Sequence, residues 1–208
     1  MSQRMSLSGH HVIKAYETKK IIMLNIIQKP CAAVNYGKGR QGHKIKVIVI
    51  HAAEGTLAGT DSWFATPRPA KPTSAHYIVG KNGEVHQYVP DKDTAYHAGI
   101  INNPTCAPWI TKQNPNLIAL GIENEGYSGE RWTLTQMIGL RALVKRKQAT
   151  YGILDADIIS HHAIADYKEN MDSWISELLM PTTRSQMLAR VKELSAVLLK
   201  LLRIRKKI

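Results

Sequence analysis

Residues 47–55 read VIVIHAAEG. Four β-branched residues in succession, Val47, Ile48, Val49 and Ile50, show no alternation of polar and apolar character. That pattern predicts a central strand covered on both faces rather than one with a wet side. The run begins at Ile45, ends at His51, and is followed at once by two alanines, Glu54 and Gly55. His51 is therefore either the last residue of a buried strand or an imidazole that the strand exists to hold.

Working outward, AHYIVGKNGEVHQYV (75–89) predicts two alternating strands joined through Lys81-Asn82-Gly83, a hairpin turn signal. LIALGIENEG (117–126) predicts another buried strand that ends in polar residues and glycine, and TDSWFATP (60–67) a short helix stopped by Pro67. The stretch 90–116, with four prolines and several asparagines, reads as a long surface loop. Thr133 followed three residues on by Gln136 forms a capping-box signature, and Leu134, Met137, Ile138, Leu140 and Val144 continue it at helical spacing. ADIIS (156–160) predicts a last short strand that delivers His161. The expected fold class is α/β, a central mixed β-sheet flanked by helices.

The 208 residues suffice for one full-sized domain. They are expected to divide into a poorly ordered polar leader (1–22), a single domain (23–180) and a tail (181–208). Within 184–208, eight Lys or Arg stand against one Glu, and Met187, Leu188, Val191, Leu194, Leu198, Leu201 and Leu202 mark one helical face, so the tail predicts a basic amphipathic helix. The net charge of +12 calls for an anionic partner: nucleic acid, an acidic membrane surface or an anionic cell-wall polymer. No interleaving of aromatic and basic residues supports a specific nucleic-acid partner. Cys31 and Cys106 are too few and too far apart for a disulfide framework or a cysteine zinc ribbon. IIMLNII (21–27) is too short to span a bilayer and no small-residue cleavage site follows it, which predicts synthesis in the cytoplasm without a signal peptide. A monomer is expected.

Three strand ends thus carry polar groups: His51, Glu123 and His161. Strand ends on one edge of an α/β sheet gather ligand sites, because the sheet fixes the side chains and the loops leave room. Two histidines and a carboxylate with an open fourth position suit a catalytic zinc, which lowers the pKa of a bound water towards neutrality. The carboxylates available after His161 are Asp166, Glu169 and Asp172. Glu125 alternates onto the same face as Glu123 and is the reserve base. His76 and His86 read as packing residues of the hairpin, and the four tryptophans receive no role.

VIVIH, SAHYIVGKNGEVHQYVPDKDTAYHAG, NPNLIALGIENEG and ISHHAIADYK occur in the order and spacing of the type 2 N-acetylmuramoyl-L-alanine amidases. Over about residues 45–175 the chain resembles that family, whose zinc fold is shared with peptidoglycan recognition proteins and phage lysozyme-amidases. The resemblance implies zinc ligands at His51 and His161, with His162 beside the second. It implies a general base at Glu123, carbonyl or oxyanion stabilisation by Lys168, and a substrate cleft lined by Tyr96 and His97 of YHAG. At the third ligand the chain departs from the pattern: the family places Asp or Cys two or three residues after the lysine, followed by proline, whereas this chain reads KENMDSW. Asp172 is the expected third ligand, with Glu169 and Asn170 as the other matches.

The implied activity is zinc-dependent hydrolysis of the amide between N-acetylmuramic acid and L-alanine of bacterial peptidoglycan, in the setting of a phage-type endolysin that reaches the wall through a pore. The basic tail would engage anionic outer-membrane or wall surfaces. A muropeptide-recycling amidase and a non-catalytic peptidoglycan-binding protein are the competing readings.

Overall fold

The computed structural model describes residues 24–180; the leader and the basic helix expected over 181–208 lie outside the described residues. In chain order the elements are β1 (Ile26–Gln28), β2 (Tyr36–Gly37), β3 (Val47–Ala52), α1 (Leu57–Ala65), β4 (Tyr77–Val79), β5 (Val85–Gln87), β6 (Thr94–Ala95), α2 (Pro108–Thr111), α3 (Pro115–Ile118), β7 (Ala119–Asn124), α4 (Leu134–Tyr151), β8 (Ile158–Ser160) and α5 (Asp172–Leu179), with 3₁₀ turns at Ala33–Asn35, Asp155–Asp157 and His161–Ala163.

Six strands form a mixed sheet in the order β1-β5-β4-β7-β3-β8, and β2 and β6 form a separate antiparallel ribbon. β4, β7, β3 and β8 run parallel; β5 turns back antiparallel to β4, with β1 parallel to it on the outside. As the unbroken apolar run requires, Val47 to Ile50 are fully buried. Ile48 and Ile50 join Leu120, Ile122, Tyr77 and Val79 beneath α4 and α5, while Val47 and Val49 face Ala98, Ile110, Ile118 and Ile164. On this second face, nearer β4, Ile78 packs with Phe64 and Leu57 of α1. Each fully buried aliphatic side chain of this kind contributes about 1.5–3 kcal/mol, so the central strands are the stiffest platform the chain can offer.

The capping box is present in full: Thr133 Oγ1 accepts from the Gln136 N–H and the Gln136 side chain accepts from the Thr133 N–H. Gln136 Nε2 also donates to the carbonyls of Val79 and Glu125, which ties the helix start to two strand ends. Further along, α4 meets the hairpin backbone to backbone, since a Cβ at Gly139 would stand 2.6 Å from the Gly83 carbonyl oxygen. Thr133→Ala is expected to lower the unfolding free energy by about 1 kcal/mol; urea titration should show a lower midpoint at unchanged slope, and an unchanged midpoint would remove the cap from the account.

The structure departs from the expected elements in two places and adds a helix where none was expected. Leu117 and Ile118 lie in α3 rather than in the strand, because Asn114 caps the Asn116 N–H and Pro115 occupies the first helical position. The 90–116 stretch carries β6, α2 and the start of α3 rather than loop alone. KENMDSW runs into α5, anchored by Met171, which is 1 % exposed in the core beneath the sheet. No described helix is long and apolar enough to cross a membrane.

Candidate active site

β7, β3 and β8 are neighbours, so their C-terminal ends deliver three groups to one edge. His51 is paired in register with Glu123, and Ile50 with Ser160, the residue before His161. Paired residues on parallel neighbours project to the same face, which places His51 and Glu123 side by side on the face away from α4. The chain then turns at Ser160 into the His161–Ala163 3₁₀ turn. This turn sends the two adjacent histidines in different directions: His161 is 6 % exposed, whereas the His162 ring donates from Nδ1 to the Lys168 carbonyl.

His51 Nδ1 lies 3.0 Å from His161 Nδ1. The far nitrogen of each ring is held: His51 Nε2 by His97 Nδ1 at 3.1 Å, and His161 Nε2 by the Ala98 carbonyl at 2.8 Å. A carbonyl only accepts, so His161 carries its proton on Nε2. Its Nδ1 then accepts from His51 Nδ1–H, and His51 Nε2 accepts from His97 Nδ1–H. Burial, reinforced by the neighbouring histidines and the Lys168 charge, drives the His51 pKa well below its ordinary value. Burial also brings His161 down to about 4. Both rings are therefore neutral at pH 7, the form that binds a metal.

Glu123 is pushed up to about 8, chiefly by burial, with Lys168 pulling it down and Glu54 adding a smaller upward push. Its Oε2 is inaccessible and without a hydrogen-bond partner. A carboxyl held near neutrality beside two neutral imidazoles can accept a proton and release it again. Glu125 is otherwise engaged: its two oxygens accept the backbone N–H groups of Leu57 and Lys81, fixing the start of α1 and the hairpin turn. The Lys168 ammonium lies over the Tyr167 ring, 5.4 Å from its centre, and its charge bears on Glu123, His51 and His161 alike.

Tetrahedral zinc with metal–nitrogen distances of 2.0–2.1 Å sets its ligands about 3.3–3.4 Å apart. The His51–His161 pair needs to open only a few tenths of an ångström to meet this, and each ring already has the outer partner that metal-bound histidines show. These two corners fit a metal. The third is different, because Asp172 Oδ1 accepts from Ser160 Oγ at 2.6 Å and, among the described residues, no three His, Cys, Asp or Glu side chains gather as a ligand set. Asp172 thus stands outside the histidine pair, contrary to the expectation that it completes it. The cause is local: Met171 takes the inward position, and Asp172 opens α5 against buried Ser160.

Tyr96 directs its phenol over Gly37 of β2, and its backbone is tied to Ser74. His97, expected as a wall of the cleft, is 7 % exposed and lies behind His51. Sequence reasoning missed the groups that make this possible. Asn116 Oδ1 accepts the N–H groups of both His97 and Ala98, and the His97 ring lies so close to Gly121 that a Cβ there would stand 2.4 Å from it. A glycine in the middle of ALGIEN was the available signal, since glycine inside a strand marks close approach. His76 accepts the Gly121 N–H at Nδ1, and His86 bridges Asp61 and Glu84, both structural engagements.

A parallel-centred sheet thus presents two neutral histidines and a carboxyl of raised pKa together at one edge. Residues 41–173 match the N-acetylmuramoyl-L-alanine amidase family, and the chain belongs to it. It is 27% identical over 130 residues to N-acetylmuramoyl-L-alanine amidase A of Achromobacter lyticus, covering 61% of this chain and 63% of that protein. It is 31% identical over 99 residues to 1,6-anhydro-N-acetylmuramyl-L-alanine amidase AmpD of Haemophilus influenzae, covering 48% of this chain and 50% of that one. The chain thus spans between half and 63% of the length of these curated relatives. Among solved structures, a selenomethionine AmpD derivative superposes with a TM-score of 0.56 at 22% identity over 71% of this chain and 87% of that one. A mutant endolysin from Bacillus subtilis gives 0.55 at 23% over 75% and 97%. These chains share the mixed-sheet fold.

Proposed function

We propose that this protein hydrolyses the amide joining N-acetylmuramic acid to L-alanine in peptidoglycan. The observation that carries the reading is the delivery of Glu123, His51 and His161 to one edge by three adjacent strands, in a chain that belongs to the amidase family. His51 and His161 would hold the metal, and a zinc ion bound there would supply Lewis-acid polarisation of the scissile carbonyl. Glu123 takes the proton of the attacking water and returns it to the departing L-alanine amine. Lys168 steadies the oxygen on which negative charge develops. Tyr96 borders the cleft.

The setting we assign is that of a phage-type endolysin, made in the cytoplasm and released to the wall through a pore, acting as a monomer and an antibacterial agent. The net charge of +12 suits an anionic wall, and the basic segment 181–208 would supply contact with wall or outer-membrane surfaces. A second reading, action on soluble anhydro-muropeptides, draws on the 31% identity to the Haemophilus influenzae relative. A third, binding without cleavage, draws on the engagement of Asp172 by Ser160.

Digestion of purified sacculi and of anhydro-muropeptides, with chelator and with zinc restored, separates the three when new ends are read by mass spectrometry. Free L-alanine amines from sacculi, lost on chelation and recovered with zinc, are the expected result. Release from small fragments alone supports recycling, and wall binding with no new ends supports the recognition role.

A further inference from the structure

We infer that His97 is a positioning residue for the metal centre, and that the 97–98 segment orients both histidines at once. The inference builds on the assignment of His51 and His161 as metal-holding residues. Two consecutive residues do the work: the His97 ring meets His51 Nε2 at 3.1 Å, and the Ala98 carbonyl meets His161 Nε2 at 2.8 Å. The segment is itself fixed, since Asn116 Oδ1 accepts both backbone N–H groups at 3.0 and 2.8 Å. The His97 ring is pinned from the other side by the bare backbone of Gly121, where a side chain would collide with Cγ, Cδ2 and Nδ1. An imidazole 7 % exposed behind another imidazole has little surface to offer a substrate.

The proton positions point the same way. In the metal-free chain the hydrogen bonds run from His97 Nδ1–H to His51 Nε2 and from His51 Nδ1–H to His161 Nδ1. His97 Nε2 is then left a bare acceptor, and it is one of the buried polar atoms without a partner among the described residues. A cation held by both Nδ1 lone pairs would leave the His51 proton only Nε2 to occupy. His51 would then donate to His97 Nδ1, and His97 would carry its own proton on Nε2. Loading the site would therefore reverse the direction of the His51–His97 hydrogen bond. A ring with two exchangeable nitrogens can do this; an apolar side chain of similar size cannot.

The test compares the wild type with His97→Leu, which removes the bond, and His97→Asn, whose amide can occupy the Nδ1 position as donor or acceptor. Two readouts apply besides activity: zinc affinity by chelator competition, and ¹⁵N imidazole chemical shifts of the metal-free and zinc-loaded proteins. His97→Leu is expected to bind zinc about 10–100-fold more weakly and to lose the single Nδ1–H tautomer of His51, with His97→Asn recovering most of both. In the wild type, zinc should move the His97 proton from Nδ1 to Nε2. Wild-type zinc affinity and an unchanged His51 tautomer in the leucine variant would overturn the inference. Failure of the wild type to bind zinc would instead overturn the metal assignment, and the metal-free ¹⁵N spectra of the three proteins would still decide whether His97 orients His51.

Discussion

Glu123→Gln is expected to reduce release of L-alanine amines by about 10²–10⁴-fold, the range for loss of a general acid–base group, while sacculus binding is retained. The amide keeps the shape of the carboxyl on β7 but cannot accept a proton. Burial raises Glu123 to about 8, so in the metal-free protein at pH 7 it is largely uncharged and the substitution scarcely alters the local field. The sign of its effect on stability follows. A carboxyl whose folded pKa lies above its ordinary value of 4.5 binds its proton more tightly when folded, so folding weakens as pH rises from 4.5 to about 8. The whole effect is at most about 4–5 kcal/mol, since each pH unit between those two values contributes about 1.4 kcal/mol. The metal-free Gln variant should therefore match the wild type near pH 4.5 and exceed its stability at pH 8. A variant that retained cleavage would remove Glu123 from the mechanism, and one equally destabilised at every pH would point to misfolding.

The metal-free protein is expected to lose stability steeply on acidification below pH 6.5. His51, His76 and His97 are held well below the ordinary value of 6.5 and His161 at about 4, in each case chiefly by burial. For depressed histidines the unfolded chain takes up protons first, so their contribution is present above pH 6.5 and drains away as pH falls towards the folded values. Each ring that stays neutral loses about 1.4 kcal/mol per pH unit. The four rings act together and outnumber Glu123, which acts in the opposite sense, so the net effect of acidification below pH 6.5 is destabilising. Urea midpoints taken from pH 8 to pH 4.5 should therefore peak near pH 6.5, falling gently on the alkaline side through Glu123 and sharply on the acid side. A flat profile below 6.5 would show that the rings are not held neutral together.

How much of this was legible beforehand depends on the range over which each cause acts. The unbroken run at 47–50, the Lys81-Asn82-Gly83 turn and the Thr133/Gln136 cap are local, set by side-chain shape and backbone hydrogen bonding within a few residues, and the α/β class followed from them. That His51, Glu123 and His161 end strands was equally local, so the candidate edge could be written down from the residues. Which atoms meet there was a tertiary matter. His51 and His161 are 110 residues apart, and only the pairing of β3 between β7 and β8 brings them within 3.0 Å. The choice between His161 and His162 rests on the turn of a 3₁₀ segment. The burial of His97 rests on a glycine of β7, and the direction of Asp172 on whether Met171 or its neighbour enters the core. By itself the sequence determined the elements and the residue types at their ends. Packing alone decided which nitrogen faces which, because burial and steric exclusion depend on atoms that the chain brings together only when the sheet closes.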